Sequence, residues 1–135
     1  MEKRDLKFRN DSKLEDLSKG IDLFNNEFFF EAHDFFEKKW IDARGEEKLF
    51  FQGLVQISVG SYHLTHGKLT AALSQFQKGR EKLLNYTPNY YSLNINAILN
   101  QVNKLITLLE IKKSSNIFSD EDKIFPKMEY IGSLL

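Results

Sequence analysis

Residues 24–40 read FNNEFFFEAHDFFEKKW, and residues 50–73 read FFQGLVQISVGSYHLTHGKLTAAL. The first stretch decides the fold. With Phe29 set at zero on a helical wheel, Ala32 falls at about 300°, Phe36 at about 340°, Trp40 at about 20° and Phe30 at about 100°. These residues make one apolar arc. Asp34, Lys38 and Glu31 lie between about 140° and 200°, on the opposite side. Period-two alternation with β-branched residues is missing here and throughout the chain, so the predicted class is all-α.

Upstream, Ser12-Lys-Leu-Glu15 has capping-box form, and Leu14, Leu17, Ile21 and Phe24 follow as the stripe of a first helix. Asn25-Asn26 is read as its end, since Asn tolerates the left-handed conformation. A second helix is predicted over 27–42 and closed by Gly45. A third covers 46–66 and stops at Gly67. A fourth covers 69–85, with Leu69, Leu73, Phe76, Leu83 and Leu84 as its buried side, and Pro88 prevents its continuation. Residues 87–94, TPNYYSLN, predict a loop. A fifth helix starts at Asn94, a plausible cap. It carries Ile95, Ile98, Val102, Leu105 and Leu109 on one seam, with Lys112 and Lys113 at the end that favours cations. Ser114-Ser115-Asn116 terminates it. The tail from Ile117 to Leu135, with Phe118, Phe125, Tyr130 and Leu134, is expected to dock as an extended strap.

The expected architecture is therefore one domain over 1–135, a compact bundle of about five helices in antiparallel hairpin pairs. Its core spans 12–112, and a tail over 113–135 docks on the bundle. The breaks at Asn25-Asn26 and His66-Gly67 join helices about as tetratricopeptide turns do. Their interval of about 41 residues exceeds the 34-residue tetratricopeptide period, so the likeness is one of helix pairs and not of a repeat array.

Composition narrows the function classes. The 135 residues carry 19 Lys plus Arg against 19 Asp plus Glu, and 41% are hydrophobic, including 12 Phe. The chain is too apolar for intrinsic disorder, and it lacks the positive excess of a nucleic-acid binder. With no cysteine, disulfide scaffolds, thiolate zinc sites and cysteine nucleophiles are excluded together. The N-terminal MEKRDLKFRNDSK is charged and has no apolar core, so no secretory signal is expected. The uncharged run from Leu49 to Thr65 holds Gln52, Gln56 and His63 and is shorter than the roughly 20 apolar residues a spanning helix needs. A helix buried on nearly all sides is expected instead, with no membrane insertion. The lysine runs Lys38-Lys39 and KGREK from Lys78 to Lys82 read as solvated helix faces. Tyr90-Tyr91 is a candidate contact surface.

Some polar residues sit inside the apolar arcs. His33, at about 40°, and Glu37, at about 80°, share one edge of the second helix. On the third helix, with Leu49 at zero, Gln52, Gln56 and His63 form a stripe between about 300° and 340°. Gly60 and Gly53 flank that stripe at about 20° and 40°, which allows another helix to approach closely. Buried polar groups need partners, so the two polar edges are expected to face each other across the hairpin. His33, Glu37, Gln52, Gln56 and His63 would then form a buried cluster. It would either fix helix register or bind a ligand. Two imidazoles and a carboxylate also make His33, Glu37 and His63 candidate divalent-metal ligands. No Ser-His-acid arrangement supports nucleophilic catalysis, and His66 is expected to be solvated at a helix end.

These residues carry a resemblance. The two stretches quoted resemble the family called domain of unknown function 309, found in bacteria, archaea and plastids. Its pattern runs F-N-x-G-x-Y-F-E-A-H-E-x-x-E-x-x-W, then G-L-I-Q, a downstream histidine and a G-N-x-x-G-A turn. Glu31, Ala32, His33, Glu37 and Trp40 fit the first block, and Gln52, Gly53, Gln56, His63 and Gly67 fit the second. Asp34 stands where Glu is usual and Asn26 where Gly is usual, while Lys68 and Thr70-Ala71 replace the Asn and Gly of the turn. The resemblance implies a small all-helical domain and supplies no activity. Glu31, Trp40, Gly53, Gly60 and Gly67 are its structural signature here. The expected function is a non-enzymatic binding or interaction module with a buried His/Glu/Gln cluster between its second and third helices, with no cofactor and with a protein or a small polar ligand as partner. The alternative is a divalent-metal or small-ligand site, or a catalytic one, built from that cluster. Abundant Asn, Lys and Ile suggest an AT-rich genome, and the expected location is the cytoplasm, or the plastid stroma of an alga.

Overall fold

Five helices follow one another, each ended by local chemistry in its own sequence. The structure is a computed structural model and describes residues 17–115 and 118–131. The capping box at Ser12, and Leu14, Ile117 and Leu134, lie outside the described residues. Helical residues 17–25 form α1. It is followed by α2 (Phe29–Asp42), α3 (Glu46–Thr65), α4 (Leu69–Leu83) and α5 (Ile95–Ser115). A short 3-10 turn, Leu84–Tyr86, extends α4, so Leu84 points to solvent and not into the predicted buried side. Asn94 caps α5 as expected: the Ala97 N–H donates to its Oδ1 at 3.0 Å.

The two turns between paired helices are alike and lie forty residues apart. The Glu27 N–H donates to Phe24 O and the Phe28 N–H to Leu23 O. In the same way the Gly67 N–H donates to Leu64 O and the Lys68 N–H to His63 O. Each is a Schellman motif, whose first residue past the cap must be left-handed. That residue is Gly67 at φ 70° in one turn and Glu27 at φ 67° in the other. Asn26 therefore does not hold the left-handed position, and the glycine of the family pattern falls on Glu27. Matching residues pack alike in the two pairs. Gly20 lies against the Phe35 and Phe36 rings, and Gly60 lies against Phe76. Ala32, Ala72, Phe36 and Phe76 are all fully buried.

Helix α3 is central, packed against α2 on one side and α4 on the other. Its glycines set the α4 contact. A Cβ at Gly53 would meet Leu83 Cδ2 at 2.9 Å, and one at Gly60 would meet Phe76 Cδ1 at 2.9 Å. Gly79 completes the seam: a Cβ there would lie 2.6 Å from Ile57 Cδ1 and 3.2 Å from Gly53 O. Within the KGREK run Lys78 and Glu81 are exposed, Arg80 and Lys82 are half-buried, and Gly79 is buried. Ser58 and Ser61 are buried in α3 with their hydroxyls satisfied, because each donates to the carbonyl four residues back, Leu54 and Ile57, at 2.9 Å.

Residues 87–94 are not a plain loop. They hold a cis Thr87-Pro88 bond and a two-stranded hairpin, β1 (Asn89–Tyr90) and β2 (Leu93–Asn94). Tyr91 and Ser92 turn it with positive φ, the type I′ geometry. Tyr90 and Tyr91 do not form an exposed surface. Both are half-buried, with their rings 4.8 and 5.6 Å from that of Phe50. Burial and the Glu47 carboxylate push the Tyr91 phenol well up.

The C-terminal residues 118–131 run as a strap across both similar turns. Lys123 Nζ donates to Thr65 O at 3.2 Å, and Lys127 Nζ donates to Asn25 O at 2.6 Å. Each ammonium thus meets the carbonyl end of a helix, where the dipole favours a cation. Phe118, Phe125 and Tyr130 pack against the core, and Met128 is buried.

Candidate functional site

Helices α2 and α3 together present a face of rings and imidazoles. On α2, the i, i+4 spacing brings His33 Nε2 to 2.9 Å from Glu37 Oε2. This pair is at the rim: the side chains are 26% and 41% exposed. The Phe30 ring lies 5.8 Å from the His33 ring and 5.9 Å from that of Tyr62 on α3. Tyr62 in turn lies 6.1 Å from His63 and 4.6 Å from His66. The link between the helices on this face thus runs through Phe30 and Tyr62. Both are exposed, although Phe30 falls in the predicted apolar arc. Its neighbour Phe28 is exposed as well, and only Phe29 of the three consecutive phenylalanines enters the core.

The polar edges of α2 and α3 do not close into the buried cluster predicted. Gly53 and Gly60, which flank the stripe of Gln52, Gln56 and His63, touch α4, while His33 and Glu37 bond to each other. Tyr62 instead meets α2. All five side chains of the predicted cluster are half-buried. Among the described residues no three His, Asp or Glu side chains converge as metal ligands, so His33, Glu37 and His63 do not assemble a metal site.

Two features of the stripe still bear on chemistry. Gln56 Oε1 is buried and accepts no hydrogen bond from the described residues. A buried acceptor without a donor is costly, by about 1–3 kcal/mol. Desolvation first, then the nearby Lys68 and His66, lowers the His63 imidazole below its ordinary value, which favours the neutral ring. His66 is exposed, with Nδ1 2.9 Å from Thr65 Oγ1.

The signature residues fall into separate roles. Glu31 is exposed. Trp40 is half-buried and not fully enclosed, with Lys48 Nζ 5.3 Å from its ring centre and donating to Trp40 O at 3.0 Å. Gly53 and Gly60 serve close approach, and Gly67 serves the turn. One family model matches part of the chain's sequence. It is the domain of unknown function DUF309, over residues 17–75. The DUF309 segment runs from α1 into α4 and contains every residue of the α2/α3 face. It stops short of α5, the hairpin and the strap. No curated protein sequence matches the chain. Among the described residues no helix is long and apolar enough to cross a membrane.

Sequence reading missed Tyr62 and Phe30 as surface groups. Tyr62 lies in an uncharged run that reads as core throughout, and only the wheel angle of about 220° relative to Leu49 separates it from the buried side.

Proposed function

We propose that this chain is a non-enzymatic binding module that engages a protein partner on the α2/α3 face, with Phe30 and Tyr62 as anchors. One observation carries the reading. Two large rings, 57% and 37% exposed and 5.9 Å apart, bridge adjacent helices at the centre of a polar rim. Exposed aromatic residues of this kind dominate binding energy at protein interfaces, and a polar rim with His33, Glu37 and His66 supplies orientation. The test is cross-linking in the native host with parent chain and a Phe30→Ala/Tyr62→Ala variant. The parent should capture a discrete partner that the variant loses, while both melt within a few degrees of each other. Identical capture by both would overturn the reading.

A second reading rests on Gln56. Its unpartnered buried oxygen suits a donor from a small polar ligand held beside His63. Isothermal titration with small amide- and hydroxyl-bearing compounds, against a Gln56→Leu control, separates the two readings.

A further inference from the structure

The strap is held in a way that reads its backbone. Gln101 on α5 donates from Nε2 to Lys127 O at 2.9 Å and accepts from the Lys127 N–H at 2.8 Å. Across the groove, Asn25 at the end of α1 treats the next residue alike. Its Nδ2 donates to Met128 O at 2.8 Å, and its Oδ1 accepts from the Met128 N–H at 2.8 Å. Successive residues of an extended chain turn their N–H and C=O groups to opposite sides, so one amide on each wall grips one residue each. Beyond this clamp a single antiparallel bridge joins the strap to β2. The Asn94 N–H donates to Glu129 O at 2.8 Å, the Ile131 N–H donates to Ser92 O at 2.8 Å, and Leu93 pairs antiparallel with Tyr130. Strand addition of this type draws affinity from main-chain bonds and specificity from pockets for side chains. The side chains that enter are few. Met128 and Pro126 are buried, and the Phe125 ring stands 5.0 Å from that of Phe29.

We propose that this groove, walled by α1 and α5 and edged by β2, is a receptor for an extended peptide of another protein, and that residues 125–131 are its resident occupant. The ligand it fits has the chemistry of that segment: an aromatic, a proline, a basic residue, a methionine-sized apolar group, any residue, an aromatic. Gln101 holds its side chain in place by a further bond from Nε2 to Ala97 O at 3.0 Å, so the clamp is anchored on its own helix. An open apolar cleft of about 270 Å³ lies beside the resident segment, between Leu105 and Leu108 of α5 and Ile124 and Phe125 of the strap itself. The strap itself has no regular structure between Lys123 and Glu129.

The test uses the full chain with Met128→Glu, which puts a carboxylate in the buried methionine pocket and expels the strap. A fluorescein-labelled peptide of residues 123–131, KIFPKMEYI, is titrated by anisotropy. It should bind this variant at least tenfold tighter than the parent, whose own strap competes. Adding Asn25→Ala and Gln101→Ala should weaken binding at least tenfold again. No saturable binding to a variant with parental far-UV circular dichroism would overturn the proposal, as would binding indifferent to the two amide replacements. Should Met128→Glu fail to fold, Met128→Ala takes its place in the same titration. Hydrogen exchange on the parent is the second measurement. The Met128 and Glu129 amides should exchange at least tenfold faster than that of Leu105 in α5, and equal protection would overturn the proposal. A parent that runs as a strap-exchanged dimer would overturn the assignment to a foreign peptide.

Discussion

Replacing Gly60 by leucine sets two opposed effects against each other. Glycine inside a helix costs about 1 kcal/mol relative to alanine, so on α3 alone the leucine should stabilise. The structure reverses that sign. A Cβ at Gly60 would lie 2.9 Å from Phe76 Cδ1, 3.0 Å from Cε1 and 3.2 Å from Cγ. Phe76 is fully buried, so its ring has no solvent to retreat into. Overpacking of a tight core costs about 1–3 kcal/mol, and a leucine brings three carbons beyond the Cβ. The expected net loss for Gly60→Leu is about 1–2 kcal/mol, and Gly60→Ala should fall near neutral. The assay is urea unfolding followed by circular dichroism, with a double-mutant cycle through Phe76→Ala. Phe76→Ala alone should cost about 3–5 kcal/mol, and the pair should recover part of that, since the leucine fills the space the ring vacates. A Gly60→Leu chain as stable as the parent, or strict additivity in the cycle, would refute the close α3/α4 contact.

Two further outcomes are expected. Glu27→Gly should raise stability by about 1 kcal/mol, because a left-handed non-glycine residue is strained. The 3.8 Å Glu27–Lys127 pair it removes is exposed and worth little; an unchanged urea midpoint would count against the strain. His63 should titrate below a free histidine in NMR. The unfolded chain then binds more protons between the lowered folded value and the ordinary one of about 6.5, so stability should fall as pH drops through that window. The fall should be lost in His63→Gln, and a His63 resonance titrating at or above the free value would sink the argument.

The helices were legible because each boundary is written in local chemistry. Gly67 ends α3, Asn94 caps α5, and Gly53 and Gly60 announce a close neighbour, although not which helix it is. The hairpin was hidden because Tyr91-Ser92 lacks the Asn-Gly signature of a type I′ turn. The candidate face was half legible. Spacing alone joins His33 to Glu37, but the place of Gln52, Gln56 and His63 depends on which side of α3 receives α4, a tertiary choice that no single helix records. Asn25 was read as a helix breaker, while its side chain grips a backbone 103 residues away. A contact of that range leaves no periodic trace.

The likeness of the two turns offers an internal control. A backbone of the same course carries two sets of side chains, and where they agree the residue serves the helix pair itself. Gly20 and Gly60 agree, as do Ala32 and Ala72, and Phe36 and Phe76. Where they part company, the pair makes no demand. Phe30 is answered by Thr70, His33 by Leu73, Glu37 by Gln77, Tyr62 by Asp22 and His63 by Leu23. Each hairpin is thus a reference for the other, and subtracting one from the other leaves the aromatic and imidazole face as the remainder.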